Sequence, residues 1–306
     1  MTTSKRLSRV LNKAKYLDIN DSSKIIIMSD CHRGYGDSGD NFSKNQIIFL
    51  AALRYYFNEN YTYIELGDGD ELWENSDLRQ IIAGHKDVFR LLAKFYEKDR
   101  LYMLFGNHDI VKRDKKLRDS VLTEYFDNRK KKYIPLFPWI DIPEGLILRY
   151  SETNDKILLV HGHQGDFLND TIWRIARLLV GYVWRPLELI GISNPTSAAT
   201  SDKKRNSVER KLIDWTTKNQ QILIAGHTHR TKFPQIDESP YFNDGCCVSR
   251  RYITGIEIEG GSISLIKWNI KTKEDRTLFV DKEILAGPAK LKNYFNNLSK
   301  IEYGNN

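Results

Sequence analysis

Five short apolar runs along the chain each end in a polar segment that carries reactive side chains. The runs occupy residues 25–28, 63–66, 101–105, 157–160 and 222–225. Their length and β-branched content predict buried strands. Residues 45–58 and 77–98, which lie between the first three runs, have apolar positions at helical spacing and predict helices. The alternation of strand and helix indicates an α/β fold, with helices packed on the faces of a sheet.

The polar segments that follow the runs contain six of the seven histidines of the chain. The segments are Asp30-Cys31-His32, Gly67-Asp68, Gly106-Asn107-His108-Asp109, His161-Gly162-His163 and Gly226-His227-Thr228-His229. Because sites in open α/β sheets form beyond the carboxyl ends of the strands, we expect these segments to converge. On an extended segment, residues two positions apart face the same side, as Asp30 with His32 and His227 with His229 would. Mixed oxygen and imidazole ligands suit divalent Mn, Fe, Zn, Co or Ni, and this set exceeds the needs of one ion. The pattern predicts a two-metal hydrolase.

The remaining cysteine and histidine residues have structural interpretations. Cys31 is a candidate thiolate ligand, but an extended segment would point it away from its two neighbours. Cys246 and Cys247 are predicted to be small core residues, and the odd cysteine count predicts no disulfide framework. This cysteine usage is typical of a reducing compartment. His85 lies outside every motif and is predicted at the surface of a helix.

Composition narrows the class of protein but not the partner. The chain has 306 residues, 41% of them hydrophobic and 28% charged, which is typical of a globular domain with a sizeable core. A net charge of +7 suits anionic substrates, nucleic acid or an anionic membrane surface. The basic runs lack interleaved aromatic residues, so nucleic acid is not the expected partner. No secretory signal or membrane span is predicted, and the expected location is the cytoplasm.

Residues 164–215 have a high apolar density and are predicted to be mostly helical. Two interpretations remain open. The stretch is either a helical hairpin packed on the core, or a cap whose residues 166–192 contact a greasy substrate or the inner face of a membrane. Beyond residue 241 the pattern changes: strands at 252–258 and 262–268 flank a Gly260-Gly261 hairpin, and a surface helix is predicted around 284–295.

The order of the five motifs resembles the calcineurin-like metallophosphoesterase family, and the resemblance spans Asp30 to His229. It implies one domain over residues 1–306, built as a four-layer α/β/β/α sandwich with residues 164–215 as a helical cap insertion. It also implies two divalent metal ions, with Mn first and Fe, Zn or Ni as alternatives. Carried over by position, one ion takes Asp30, His32, Asp68 and His229. The other ion takes Asp68, Asn107, His161 and His227.

The resemblance also implies catalytic roles. Two ions would activate a hydroxide that attacks phosphorus in line with the leaving oxygen. His108 matches the position that contacts the phosphoryl group and protonates the leaving group, and Asp109 would orient His108. Glu71 matches a position that supports the metal ligands, with Asp70 as the runner-up. Three residues beside the metal motifs are predicted to contact substrate: Arg33, His163 and Arg230. For His163 a purely structural role is the alternative.

Within the family, Glu71-Leu72-Trp73 after Gly67-Asp68 and the apolar insertion are similar to UDP-2,3-diacylglucosamine pyrophosphatase-like enzymes. The chain has His108 where the characterised enzymes of that group carry arginine, and His163 where they usually carry aspartate. These departures favour a phosphomonoesterase or phosphodiesterase acting on a phosphorylated small molecule or lipid-linked substrate. The alternatives are a pyrophosphatase acting on a lipid-linked nucleotide sugar, and a protein Ser/Thr phosphatase or nuclease. A non-catalytic scaffold predicts eroded ligands, and none of the carried-over ligands is missing.

Overall fold

The structure is a computed structural model that describes residues 2–127, 130–166 and 202–300. The α-helices in these ranges are α1 Thr3–Lys13, α2 Gln46–Asn58, α3 Leu78–Gly84, α4 Lys86–Tyr96, α5 Lys115–Val121, α6 Asp202–Asn219 and α7 Leu291–Asn297. The first eight strands are β1 Lys15–Ile19, β2 Lys24–Met28, β3 Thr62–Leu66, β4 Leu101–Leu104, β5 Glu124–Asp127, β6 Lys132–Pro135, β7 Gly145–Tyr150 and β8 Lys156–Val160. The remaining strands are β9 Ile222–Ala225, β10 Tyr241–Asn243, β11 Tyr252–Glu259, β12 Ser262–Thr272 and β13 Leu278–Lys290.

Two main sheets form the centre of the fold. The six-stranded sheet has the order β13-β12-β11-β2-β3-β4, with β2, β3 and β4 parallel and the other pairs antiparallel. The five-stranded sheet has the order β1-β7-β8-β9-β10, in which only the β7–β8 pair is antiparallel. The short β5–β6 hairpin forms a separate two-stranded sheet.

Among the described residues, the sheets divide the core into three clusters. On β2, Ile25 and Ile27 point into the cluster between the two sheets, whereas Ile26 and Met28 point to the opposite face, under α2, α3 and α4. This is the period-two alternation of a strand buried on both faces. A third cluster packs α1 and α6 on the outer face of the five-stranded sheet. The layers are therefore helix, sheet, sheet and helix, which is the α/β/β/α sandwich that the sequence predicts.

Several sequence predictions are confirmed. All five apolar runs are strands: β2, β3, β4, β8 and β9. Helix α2 covers the first predicted helix, and residues Gly260 and Gly261, both at positive φ, form the turn between β11 and β12.

Three local predictions are wrong. The helix predicted over 77–98 is broken at His85, and His85 is buried rather than on the surface. Its Nε2 lies 2.6 Å from Asp40 Oδ2 and its Nδ1 lies 2.8 Å from Gln46 Oε1, so tertiary contacts hold the ring at the break. The surface helix predicted at 284–295 begins only at Leu291, because residues up to Lys290 pair with β12.

The predicted cap is described only at its ends. Residues 167–201, which include most of the apolar stretch, lie outside the described residues. The segment before them ends at Asp166, and the segment after them begins with α6. These two segments are in contact, because the Lys211 ammonium of α6 donates a hydrogen bond to the Gly165 carbonyl. The contact of residues 166–192 with lipid or substrate therefore stays a prediction. Among the helices that the structure describes, none is long and apolar enough to cross a membrane.

Candidate metal centre

The five motif loops converge where the parallel strands of both sheets end. Three loops follow β2, β3 and β4, and two follow β8 and β9. Five non-glycine residues of these loops have φ in the left-handed region: Asp30 at 51°, His32 at 47°, Asp68 at 49°, His227 at 70° and His229 at 54°. The predicted extended geometry of the Asp30 and His227 segments is therefore wrong. Such backbone costs about 1 kcal/mol or more per residue and is typical of functional sites.

One group of candidate ligands consists of Asp30, His32 and His229, whose ligand atoms lie within 4.8 Å of one another. Asp30 Oδ1 is 3.0 Å from His229 Nε2 and 3.6 Å from His32 Nε2. The other Asp30 oxygen accepts hydrogen bonds from the backbone N–H of His227, at 2.9 Å, and from the Ser29 hydroxyl. One carboxylate oxygen therefore faces the imidazoles and the other is held by the protein.

A second group consists of Asp68, His161 and His227, within the same 4.8 Å limit. Asp68 Oδ2 lies 3.0 Å from His161 Nε2 and 3.8 Å from His32 Nε2, so this oxygen lies between the two groups. Asp68 Oδ1 accepts the backbone N–H of His108 at 2.8 Å. His161 Nδ1 lies 3.0 Å from the Leu66 carbonyl, which leaves Nε2 as the atom that faces the site.

Several buried polar atoms at the centre have no hydrogen-bond partner within the part of the chain that the structure describes. They are Nε2 of His32, His161 and His227, together with both polar side-chain atoms of Asn107. Leaving such an atom unpaired costs about 1–3 kcal/mol, and native structures contain few. Imidazole nitrogens and an amide oxygen beside two aspartates are a suitable donor set for divalent transition metals. The residues present therefore fit the ions that the sequence predicts.

The electrostatics of the centre favour positive charge. Burial opposes ionisation of Asp30, but His229 and His161 outweigh it and hold the pKa of Asp30 well below its usual range. Burial also disfavours the imidazolium of His161, yet Asp68 and Asp30 raise its pKa to about 9. Against the same burial, Asp30 and Cys246 raise the pKa of His229 to about 10. An imidazole must lose the proton on its ligand nitrogen before that nitrogen can bind a metal ion, so protons compete with metal at His161 and His229.

Glu71 connects the first group to the candidate catalytic histidine. His32 Nδ1 lies 2.8 Å from Glu71 Oε2, and His108 Nδ1 lies 2.8 Å from Glu71 Oε1. The three side chains also satisfy the distance limit for a metal cluster. His108 is further held by Trp73, whose ring stacks on the imidazole with centroids 4.2 Å apart. Glu71 therefore lies behind both imidazoles, where the sequence predicts a supporting residue.

Asp109 does not occupy the position that the sequence predicts. Its Oδ1 accepts the Gly106 N–H at 2.7 Å, and its Oδ2 accepts the Gly69 N–H at 3.1 Å. Oδ2 also accepts a hydrogen bond from the Lys112 ammonium at 2.7 Å. The structure thus corrects the expected orientation of His108 by Asp109: Glu71 contacts the imidazole, and Asp109 ties two loop backbones together.

The predicted contact of Arg33 with substrate is also wrong. It is 0% exposed, and its guanidinium binds both oxygens of Glu65, at 2.7 and 2.9 Å, and Asp70 Oδ1 at 2.7 Å. A side chain enclosed in this way does not reach a substrate phosphate, which corrects the predicted role. Asp70 is likewise bound to Arg33 and is not a supporting residue of the imidazoles.

The other two predicted substrate contacts lie at different depths. Arg230 is half-buried, and its guanidinium donates to Asn206 Oδ1 of α6 at 2.9 Å. His163 is buried beside His161, with ring centroids 5.6 Å apart. Burial and the neighbouring imidazoles hold the pKa of His163 well below its usual range. Neither position tests substrate contact, so both roles stay predictions.

Sequence reasoning missed a further acidic residue at the rim of the centre. Asp244 follows β10 directly, and its Oδ1 lies 2.8 Å from the Ser29 hydroxyl that also contacts Asp30. Burial, followed by the charge of Asp30, raises the pKa of Asp244 well above its usual range. The signal was available, because Asp244 follows a short apolar strand as the five predicted motifs do.

The cysteines of the chain are buried around the same loops. Cys31 lies in the core cluster under the helices, together with Cys247. Cys246 contacts His229, whose charge lowers the thiol pKa although burial opposes it. Among the described residues, no cysteine belongs to a cluster suited to a metal ion. The geometry therefore favours the structural interpretation of Cys31.

Comparison with known proteins gives a family match. The calcineurin-like phosphoesterase family matches residues 23–231. The solved structure of Chaetomium thermophilum Vps29 is 12% identical, with 86% of this chain and 97% of that chain covered and a TM-score of 0.38. The same protein complexed with the RaPID-derived cyclic peptide RT-D3 is 12% identical, with 86% and 96% covered and a TM-score of 0.32. At these TM-scores neither structure bears on function, and no curated protein matches the chain.

The family match includes all five motif loops and covers more than half of the chain. The Asp and His clusters suited to metal ions lie inside the matched range. Together they support metal-dependent phosphoester hydrolysis as the general activity. The chain belongs to the calcineurin-like phosphoesterase family.

Proposed function

We propose that the protein hydrolyses a phosphomonoester or phosphodiester at a centre of two divalent metal ions. The observation that carries this proposal is the position of Asp68 Oδ2, within 4 Å of imidazole nitrogens from both ligand groups. A carboxylate oxygen in this position could serve as a ligand to both ions of a two-metal hydrolase. Asp30, His32, Asp68 and His229 would hold one ion. Asp68, Asn107, His161 and His227 would hold the other.

When bound, such ions supply Lewis acidity and lower the pKa of a water nucleophile. The protein residues orient the reacting groups. Asp30 and Asp68 each use one oxygen toward the centre and anchor the other on a backbone N–H. His161 is oriented by the Leu66 carbonyl and His32 by Glu71, which selects Nε2 as the atom facing the centre. Anchored ligands of this type reduce the reorganisation that metal binding requires.

His108 is the candidate proton donor to the leaving oxygen. Its side chain is 19% exposed, so part of the ring is open to solvent at the edge of the centre. Its Nδ1 is held by Glu71 and its ring plane by Trp73, which leaves Nε2 for a substrate. A positioned acid of this kind contributes about 10²–10⁴-fold to rate.

The substrate class is a phosphorylated small molecule or lipid-linked phosphate. The seven candidate ligands are all present, which favours catalysis over a scaffold role. His108 and His163 differ from the arginine and aspartate of UDP-2,3-diacylglucosamine pyrophosphatase-like enzymes, so a simple phosphoester is the first choice. Hydrolysis of a lipid-linked nucleotide sugar and protein Ser/Thr phosphatase activity are the alternatives to be tested beside it.

The test is a hydrolysis screen of the metal-stripped protein with and without added Mn²⁺. The substrates are p-nitrophenyl phosphate, bis-p-nitrophenyl phosphate, nucleotides, a phosphoserine peptide and a UDP-linked lipid. We expect Mn²⁺-dependent turnover of a p-nitrophenyl ester and loss of that turnover in Asp68→Asn. Turnover of the UDP-linked lipid alone, or of the peptide alone, would select the corresponding alternative. No turnover of any ester with Mn²⁺, Fe²⁺, Zn²⁺ or Ni²⁺ would refute the proposal.

A further inference from the structure

A network of buried charges lies beside the candidate metal centre and has no assigned role. It contains Glu65, Arg33, Asp70, Lys112 and Asp109, and each side chain is at most 3% exposed. Arg33 binds both Glu65 and Asp70. The Lys112 ammonium lies 2.6 Å from Asp70 Oδ2, an ion pair without the alignment of a hydrogen bond, and donates to Asp109 Oδ2 at 2.7 Å.

The network joins the three loops that follow β2, β3 and β4. Arg33 belongs to the loop that carries Asp30 and His32, and its backbone N–H donates to the Gly69 carbonyl at 3.1 Å. Asp70 belongs to the loop that carries Asp68. Asp109 and Lys112 belong to the segment that carries Asn107 and His108. Lys112 is therefore the cation that connects the second loop to the third.

Backbone hydrogen bonds to Asp109 fix the position of the second loop relative to the third. The Asp109 carboxylate accepts N–H groups from Gly69 and Gly106, which flank the second and third loops. Gly69 itself passes close to the network, because a Cβ at this residue would lie 2.0 Å from Glu65 Oε1. A shift of Asp109 would therefore move both backbones relative to each other.

Burial of these charges is expensive unless all of them are paired. Taking an ion out of water costs several kcal/mol, and replacing a buried ion pair with apolar residues is often neutral or stabilising. Stability alone therefore gives little physical reason for a buried charge network at this position. Residues that hold metal ligands typically change metal affinity or activity by about 10–100-fold when they are mutated.

We propose that Lys112 is a positioning residue of the metal centre. By binding Asp70 and Asp109 at once, its ammonium holds the loop of Asp68 against the loop of Asn107 and His108. This sets the separation between the shared carboxylate of Asp68 and the amide of Asn107, a second candidate ligand of the same ion. The inference rests on the proposed two-metal function but concerns residues that contact neither the ions nor the substrate.

The test compares Lys112→Met with Lys116→Met, which removes the same charge from an exposed position of α5. Mn²⁺ affinity is measured by calorimetry without substrate, and kcat and KM are measured with p-nitrophenyl phosphate. We expect Lys112→Met to weaken Mn²⁺ binding or lower kcat by about 10–100-fold, with KM changed less. Lys116→Met is expected to match the wild type in both measurements.

A second variant separates positioning from folding. Lys112→Met leaves two buried carboxylates with one cation fewer and is the variant at risk of unfolding. Lys112→Met with Asp70→Asn removes one charge of each sign, and the asparagine oxygen can still accept from Arg33. The proposal requires this folded double variant to bind Mn²⁺ more weakly or turn over more slowly than the wild type. Wild-type affinity and kcat in that variant would overturn it.

The two proposals fail in different ways. If the wild-type protein binds Mn²⁺ but hydrolyses no ester, and Lys112→Met weakens that binding, the positioning role stands and the proposed function fails. If the wild type is an active Mn²⁺-dependent esterase and the double variant matches it in affinity and kcat, only the positioning role fails.

Discussion

Replacing Glu71 with glutamine should disconnect the two imidazoles that this carboxylate holds. In the structure Oε2 lies 2.8 Å from His32 Nδ1 and 2.7 Å from His108 Nδ1, and Oε1 lies 2.8 Å from His108 Nδ1. Oε1 also accepts the backbone N–H of Trp73 at 3.1 Å. Glutamine has one oxygen acceptor, and its NH₂ group only donates. If the glutamine oxygen replaces Oε2, its NH₂ group faces His108 Nδ1 and the Trp73 N–H; if the oxygen replaces Oε1, the NH₂ group faces both imidazoles. In either orientation at least one imidazole N–H loses an acceptor atom, and the negative charge that both imidazoles contact is removed.

The expected size of the effect follows from the bonds lost. A hydrogen bond to a charged group contributes about 1.5–3 kcal/mol. At about 1.36 kcal/mol per factor of ten, losing one such bond corresponds to roughly 10–150-fold. If His32 is released, Mn²⁺ affinity falls by this factor. If His108 is released, metal stays bound and kcat falls by this factor.

The assay measures Mn²⁺ affinity by calorimetry and kcat with p-nitrophenyl phosphate on the same preparation. Glu97→Gln, the same change at an exposed residue beyond α4, is the matched control and should behave as wild type. Thermal unfolding of both variants checks that the fold is intact. A folded Glu71→Gln protein within twofold of the wild type in both affinity and kcat would refute the assigned role.

Three further predictions follow from the centre. Asp68→Asn should abolish turnover and lower the bound metal measured by mass spectrometry, because both ions lose charge at the shared ligand; full activity would contradict the two-metal assignment. His108→Ala should keep metal bound and slow turnover by about 10²–10⁴-fold, most for esters with poor leaving groups; loss of metal instead would make His108 a ligand. With pKa values of about 9 for His161 and about 10 for His229, both imidazoles are protonated in the metal-free protein at neutral pH. Mn²⁺ must displace those protons, so binding should acidify a weakly buffered solution and tighten as pH rises from roughly 7 to 9; pH-independent affinity without proton release would refute this.

Local sequence patterns were sufficient to predict the strands whose ends carry the candidate metal ligands. The five apolar runs are strands because β-branched residues in runs of this length have few alternatives that bury both faces. The loops that follow them converge because the parallel strands of each sheet end at the same edge. The failed helix prediction at 284–295 shows the limit, since pairing of this segment with β12 outweighs its local pattern.

The sequence by itself determined which chemistry is present: a set of aspartate, asparagine and histidine side chains, each at the end of a predicted strand. Only the tertiary structure decided how the charged residues around them are used. Arg33, adjacent to a ligand in sequence, is bound to Glu65 and Asp70, and Asp109, adjacent to His108, is bound to Lys112. Glu71 holds His108 although 37 residues separate them. The physical reason is that a buried charge must find its partner in three dimensions, and the spacing along the chain does not specify which partner the fold brings within reach.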